Sequence, residues 1–307
     1  MRRFLAAFAV MFAAAGAYAH AEEDCRLQLA ASLPMTMDRT GRMSIPAAVG
    51  GHPLQLMIDT RTPGSVLTRS AADALGLRPH LVTAPGIGFR MYGGERLVRF
   101  VRVKDFALGE MKDSKAQFLV MTNPLPPGID GLIGWDFLSQ FDVDFDFANA
   151  KLNFFMPHRC EGRAVYWTQN ESAIAKIPFE LNEQENPHIV IPVEIDGHGV
   201  KAIVDTSASR SALDLGIALD TFGLDTASAG MRRIGNPSDP APSYRYPFRT
   251  LTFEGVTVSN PDIVLVPVEK SHFDSRRLLL GIGILRQLHF YIAYQERNIY
   301  VTAAGAH

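Results

Sequence analysis

Apolar residues along this chain recur mostly in short runs with the period of β-strands, and the runs are separated by glycine, proline and small polar residues. Residues 43–58 hold two such runs broken at Gly50-Gly51, and residues 189–204 repeat the arrangement around Asp196-Gly197. Both stretches predict hairpins, because paired glycine or Asp-Gly supplies the positive φ angles of a two-residue turn. Strict alternation in Phe141-Asp142-Val143-Asp144-Phe145-Asp146-Phe147 predicts a strand with one buried face and one solvated face carrying the three acids. Calcium is the less favoured reading of that triplet. Further strands are expected over 96–106, 116–121, 249–253 and 262–268. Short helices are expected over 70–75 and 213–222, with Gly76 and Gly223 as their C-terminal stops.

These elements form a repeat. The first half carries Leu54-Gln-Leu-Met-Ile-Asp59-Thr60-Arg61-Thr62 and, 75 residues after Asp59, the glycine of Leu132-Ile133-Gly134. The second carries Val200-Lys-Ala-Ile-Val-Asp205-Thr206-Ser207-Ala208 and, 76 residues after Asp205, the glycine of Leu279-Leu280-Gly281. Beyond those glycines the halves align without a gap, Leu138 on Leu285, Gln140 on Gln287, Phe147 on Tyr294 and Leu152 on Ile299. Two copies of one mostly-β unit therefore share the chain. Their expected bounds are 20–157 and 174–307, joined by a linker over 158–173.

The first residues stand apart from that pattern. Arg2 and Arg3 precede an apolar run from Phe4 to Ala15, and Ala17-Tyr18-Ala19 places small residues where a signal peptidase cuts. Residues 1–19 read as a secretory leader, with cleavage after Ala19 or Ala21, and a periplasm is the expected destination. The apolar run is shorter than the ~20 residues a membrane-spanning helix needs, so no membrane insertion is expected after cleavage. Loss of Arg2 and Arg3 takes the formal charge from -2 to -4, which gives no electrostatic basis for nucleic-acid binding. The two cysteines, Cys25 and Cys160, survive cleavage, and in an oxidising compartment one structural disulfide is the favoured reading. Neither they nor the nine scattered histidines, read as surface residues, make a metal site, and no metal or cofactor is expected.

An apolar strand ending in Asp-Thr, followed about 75 residues later by an apolar-apolar-Gly strand and a short helix, resembles the retropepsin-like aspartic peptidases. The resemblance covers nearly the whole mature chain. It implies two acid-protease β-barrel lobes related by a pseudo-twofold axis, so that one chain is an internal pseudo-dimer and an expected monomer. It further implies that Asp59 and Asp205 meet at that axis as the catalytic pair and that Thr60 and Thr206 brace them. A single Asp-Thr at a strand end is explained by an Asx-turn. Its recurrence at equivalent positions of a repeat favours paired acids. Two adjacent carboxylates share a proton, so one activates water while the other protonates the scissile amide. The implied activity is endopeptidase cleavage of a peptide or protein without metal or cofactor.

The chain departs from the family pattern at the third position of each motif, where Arg61 and Ser207 replace glycine. A guanidinium directed inward would fill substrate space and favour a doubly ionised pair, removing the shared proton. The alternative function is then a catalytically impaired relative that binds an extended peptide, with Arg61 and Ser207 as contacts. The other placements are Arg61 turned outward, or Arg61 paired with a substrate carboxylate to give narrow specificity. A flap over the cleft is expected around Gly86 to Gly94, with Tyr92 near its tip, and its counterpart at 230–242 is stiffened by Pro237, Pro240 and Pro242.

Overall fold

A computed structural model describes residues 27–82, 89–90, 96–157, 165–182, 186–267 and 277–305. The leader, Cys25 and Cys160 with their expected disulfide, and Tyr92 lie outside the described residues.

Both hairpins form where the glycines place them. Met43–Val49 turns into His52–Ile58 through Gly50 and Gly51, at φ 55° and 81°. Asn186–Ile195 turns into His198–Val204 through Asp196 and Gly197, at φ 47° and 80°. In each lobe the second hairpin strand then runs parallel to the strand that precedes the repeat's glycine: His52–Ile58 beside Gly131–Ile133, and His198–Val204 beside Leu278–Leu280. That strand in turn lies antiparallel to Val66–Thr68 or Ser211–Asp214, and each of those lies parallel to Ala116–Met121 or Ile263–Val266. Identical connectivity in the two halves is the structural form of the sequence repeat.

Each lobe is built on one ten-stranded sheet, and the closure expected of a barrel is not seen among the described strands. Local signals set element identity better than element bounds. The second helix, Leu215–Phe222, begins two residues later than its pattern predicts, because Ser211–Asp214 is drawn into parallel pairing and the Asp214 carboxylate caps the Gly216 N–H at 2.6 Å. The strand expected over 96–106 breaks into Arg96–Leu97, Arg99–Val103 and Phe106–Leu108, the last break falling where Asp105 takes φ 56°. The helices are short, and none among the described residues is long and apolar enough to cross a membrane.

A six-stranded sheet joins the lobes, in the order Leu29–Pro34, Lys151–Phe155, Asp142–Asp146, Leu288–Ala293, Asn298–Ala303 and Ala175–Pro178. Its central register locates the pseudo-twofold axis. Val143 pairs with Ile292 and Phe145 with Phe290, while Asp144 faces Tyr291, its own equivalent in the other half. An interface in which i meets j′ and j meets i′ is isologous, so the axis passes between Asp144 and Tyr291. Phe145 and Phe290 stack beside it, centroids 4.4 Å apart.

The acid face of this sheet is not solvated, contrary to the expectation for Asp142, Asp144 and Asp146. All three are buried, Asp144 completely. Asp144 accepts hydrogen bonds from Tyr166 Oη (2.7 Å) and Asn153 Nδ2 (2.8 Å), and His289 Nε2 lies 2.8 Å from its other oxygen. The Trp167 indole stacks on the His289 ring at 3.9 Å and donates Nε1–H to Thr302. Alternation correctly predicts which residues share a face. What covers that face is a segment from the linker region, which no local pattern reports. His289 is accordingly a buried histidine, not a surface one.

Candidate active site

Asp59 and Asp205 follow directly on the parallel strands His52–Ile58 and His198–Val204. Their backbone N–H groups donate to Ile133 and Leu280 carbonyls, both at 3.0 Å, which extends each parallel pairing by one residue and aims the acids at the lobe junction. The chain then turns sharply. Trp135 N–H reaches the Thr62 carbonyl and Ile282 N–H the Ala208 carbonyl, each at 2.8 Å, so the turn after each aspartate is clasped to the segment after each repeat glycine.

The junction is held by crossed threonines. Thr60 Oγ1 donates to the Val204 carbonyl (2.8 Å) and Thr206 Oγ1 to the Ile58 carbonyl (2.7 Å), each hydroxyl also receiving the other threonine's N–H at 3.2–3.3 Å. Both threonines are fully buried, as are the strand ends they bridge. The peptide unit before each aspartate is thus bonded by the opposite lobe, which carries Asp59 and Asp205 to the same junction.

The two carboxylates are equipped differently. Asp59 Oδ1 accepts the N–H groups of Arg61 (2.9 Å) and Thr62 (3.0 Å), while Oδ2 takes the Thr62 hydroxyl. Asp205 Oδ1 accepts the N–H groups of Ser207 (3.0 Å) and Ala208 (2.9 Å) and the Ser207 hydroxyl (2.8 Å). Its Oδ2 is held by Arg61 Nε at 3.0 Å. Arg61 therefore points inward and crosses from one lobe to pair with the aspartate of the other. Ser207 turns its hydroxyl to Asp205 rather than to open space.

Burial, then the charge of Asp59, push the Asp205 carboxyl above the usual range; Arg61 and the Ser207 hydroxyl pull it down without cancelling that rise. Burial and then Asp59 also push up the phenol of Tyr294, whose hydroxyl has no hydrogen-bond partner among the described residues. A carboxyl raised on folding adds stability below its ordinary titration range, and that contribution is lost as pH rises through the raised value. Wild type should lose stability relative to Asp205→Asn as pH rises from the ordinary carboxylate range through the raised value. Denaturant titrations of both proteins test this, and a difference that stays level with pH would mean that Arg61 cancels the effect of burial.

Three polar residues at the site lie outside the expected set. Thr62 caps Asp59, while Ser65 Oγ and Ser211 Oγ accept the N–H groups of Gly134 (3.1 Å) and Gly281 (2.9 Å). The serines stand six residues after each aspartate, so the repeat already contains the signal.

A doubled β lobe with one buried aspartate from each half, locked by reciprocal threonines, defines an aspartic-protease-like architecture with two pseudo-twofold lobes in one chain. The aspartyl protease family model matches residues 45–137 and 191–284, and the chain belongs to that family. Similar folds include an aspartic proteinase from Irpex lacteus (11% identity, TM-score 0.56, covering 90% of this chain and 97% of that one). Conglutin gamma, a basic 7S globulin from lupine seeds (10%, 0.52), and basic 7S globulin from soybean (12%, 0.50) each match over 90% of this chain and 95% of theirs. No match was found among curated protein sequences.

Proposed function

We propose that this protein is a catalytically impaired member of the aspartyl protease family that binds an extended peptide in the cleft between its lobes. The observation that carries this reading is the Arg61 Nε to Asp205 Oδ2 contact at 3.0 Å. A cation on one acid of the pair favours its ionised form and so opposes the shared proton that the general acid needs to protonate the scissile amide. The guanidinium also occupies space that glycine would leave to the substrate backbone. Seed globulins are among the proteins of similar fold, so the architecture is not confined to proteins named as proteinases.

Hydrolysis is the second reading. What favours it is the upward push on Asp205 from burial and from Asp59, the direction a proton-sharing pair requires. In either case the leader at 1–19 sends the chain out of the cytoplasm, the lobes span 20–157 and 174–307, and Tyr92 contacts the ligand. The test is to mix the mature protein with labelled unstructured peptides over an acid-to-neutral range. The impaired reading expects saturable binding, intact peptide by mass spectrometry, and unchanged affinity in Asp205→Asn. Turnover by wild type that disappears in Asp205→Asn would establish the second reading instead.

A further inference from the structure

We propose that Arg39, Arg210 and Arg286 form a recognition site for the carboxylate side chains of an acidic peptide. This rests on the peptide-binding reading above and specifies its ligand.

The three arginines line one cavity of about 380 Å³, together with Thr40, Ser209 and Asp262. Arg39 comes from the first lobe. Arg210 lies five residues after Asp205, on the chain that leaves its turn. Arg286 closes the short helix Ile282–Leu285, whose first N–H is held by the Ala208 carbonyl. The cavity therefore adjoins the turn that positions Asp205.

The lining of this cavity is rich in arginine. Arg42, Arg69 and Arg245 pair with Asp38, Asp73 and Asp262. Among the described residues the guanidinium groups of Arg39, Arg210 and Arg286 have no carboxylate partner. Asp262, the one acid of the lining, is already taken by Arg245 Nη2 at 3.0 Å. Three uncompensated guanidinium groups thus converge in a chain whose formal net charge is negative. Guanidinium presents paired N–H donors in the spacing of a carboxylate's two oxygens, which suits Asp and Glu side chains. Arg210 also borders a second cavity of about 520 Å³, lined by Ala212, Ile234, Val264 and Val266. An apolar side chain beside the acidic ones fills that space, so the matching ligand is an extended segment of mixed acidic and apolar residues.

Fluorescence anisotropy tests the assignment with the mature chain and three labelled peptides of equal length and apolar content, one rich in Asp and Glu, one neutral and one rich in Lys. The acidic peptide is expected to bind at least tenfold more tightly than the neutral one at low ionic strength, with the advantage shrinking as salt screens the exposed guanidinium groups. Combined Arg210→Glu and Arg286→Glu should erase that advantage and leave the affinity for the neutral peptide unchanged. The milder Arg210→Gln and Arg286→Gln pair serves should the reversals fail to fold. Equal binding of acidic and neutral peptides, or a preference that survives the substitutions, overturns the proposal while leaving the peptide-binding reading intact. Failure of all three peptides to bind overturns both.

Discussion

Arg61→Gly is expected to convert a peptide binder into an acid-active peptidase, raising cleavage of an unfolded protein substrate by about a hundredfold or more over wild type. The N–H of residue 61 already donates to Asp59 Oδ1, and glycine preserves that bond. What disappears is the Nε contact at Asp205 Oδ2. Burial and the charge of Asp59 then act on the Asp205 carboxyl without Arg61 opposing them, so its proton is held more firmly and the pair shares one proton in the acid range. The crossed Thr60 and Thr206 bonds do not involve the Arg61 side chain, and the geometry of the pair is kept. Arg61→Lys is the informative control, because an ammonium in the same place still pairs with Asp205 and should leave the protein inactive. A folded Arg61→Gly protein that binds peptides and cleaves none of them would show that the defect lies elsewhere.

The second large effect concerns stability. A Cβ at Gly281 would lie 2.5 Å from the Arg210 carbonyl oxygen and 2.7 Å from that of Ala208; at Gly134 it would lie 2.7 Å from the Thr62 carbonyl oxygen. These are backbone atoms of the turns that carry the aspartates, and they cannot give way without breaking the clasp between Ile282 and Ala208 or between Trp135 and Thr62. Gly281→Ala should lower the unfolding free energy by about 3–5 kcal/mol, beyond ordinary overpacking because the obstacle is main chain. Gly283→Ala is the matched comparison, since its added methyl meets nothing closer than 3.2 Å, at the Ser209 carbonyl oxygen. Its cost should stay near 1 kcal/mol or below. Chemical denaturation of both variants tests the contrast, and comparable losses would locate the need for Gly281 somewhere other than this close approach.

The fold was largely legible because its signals are local and doubled. Gly50-Gly51 and Asp196-Gly197 take the positive φ angles that two-residue hairpins need, and the repeat sets Gly134 opposite Gly281 and Asp59 opposite Asp205. Where neighbours compete for the same residues, local reading drifts. Ser211 to Asp214 became strand because Ile263–Val266 offered pairing, and the acids of Asp142–Asp146 became buried because Tyr166 and Trp167 cover them. Closure of a sheet into a barrel likewise depends on which edges meet, and hydropathy carries no record of that.

From the amino-acid order alone came the duplicated unit, the two aspartates with their threonines, and the chemical oddity of arginine at the third motif position. Each is a matter of spacing and residue type, which chain connectivity preserves before folding. The inward turn of Arg61 onto Asp205, the burial of the Asp144–His289 cluster and the gathering of Arg39, Arg210 and Arg286 around one cavity were decided only by tertiary structure. Those arrangements join residues between roughly 75 and 250 positions apart in sequence, and only packing of one lobe against the other sets which charge each side chain meets and how much water it keeps.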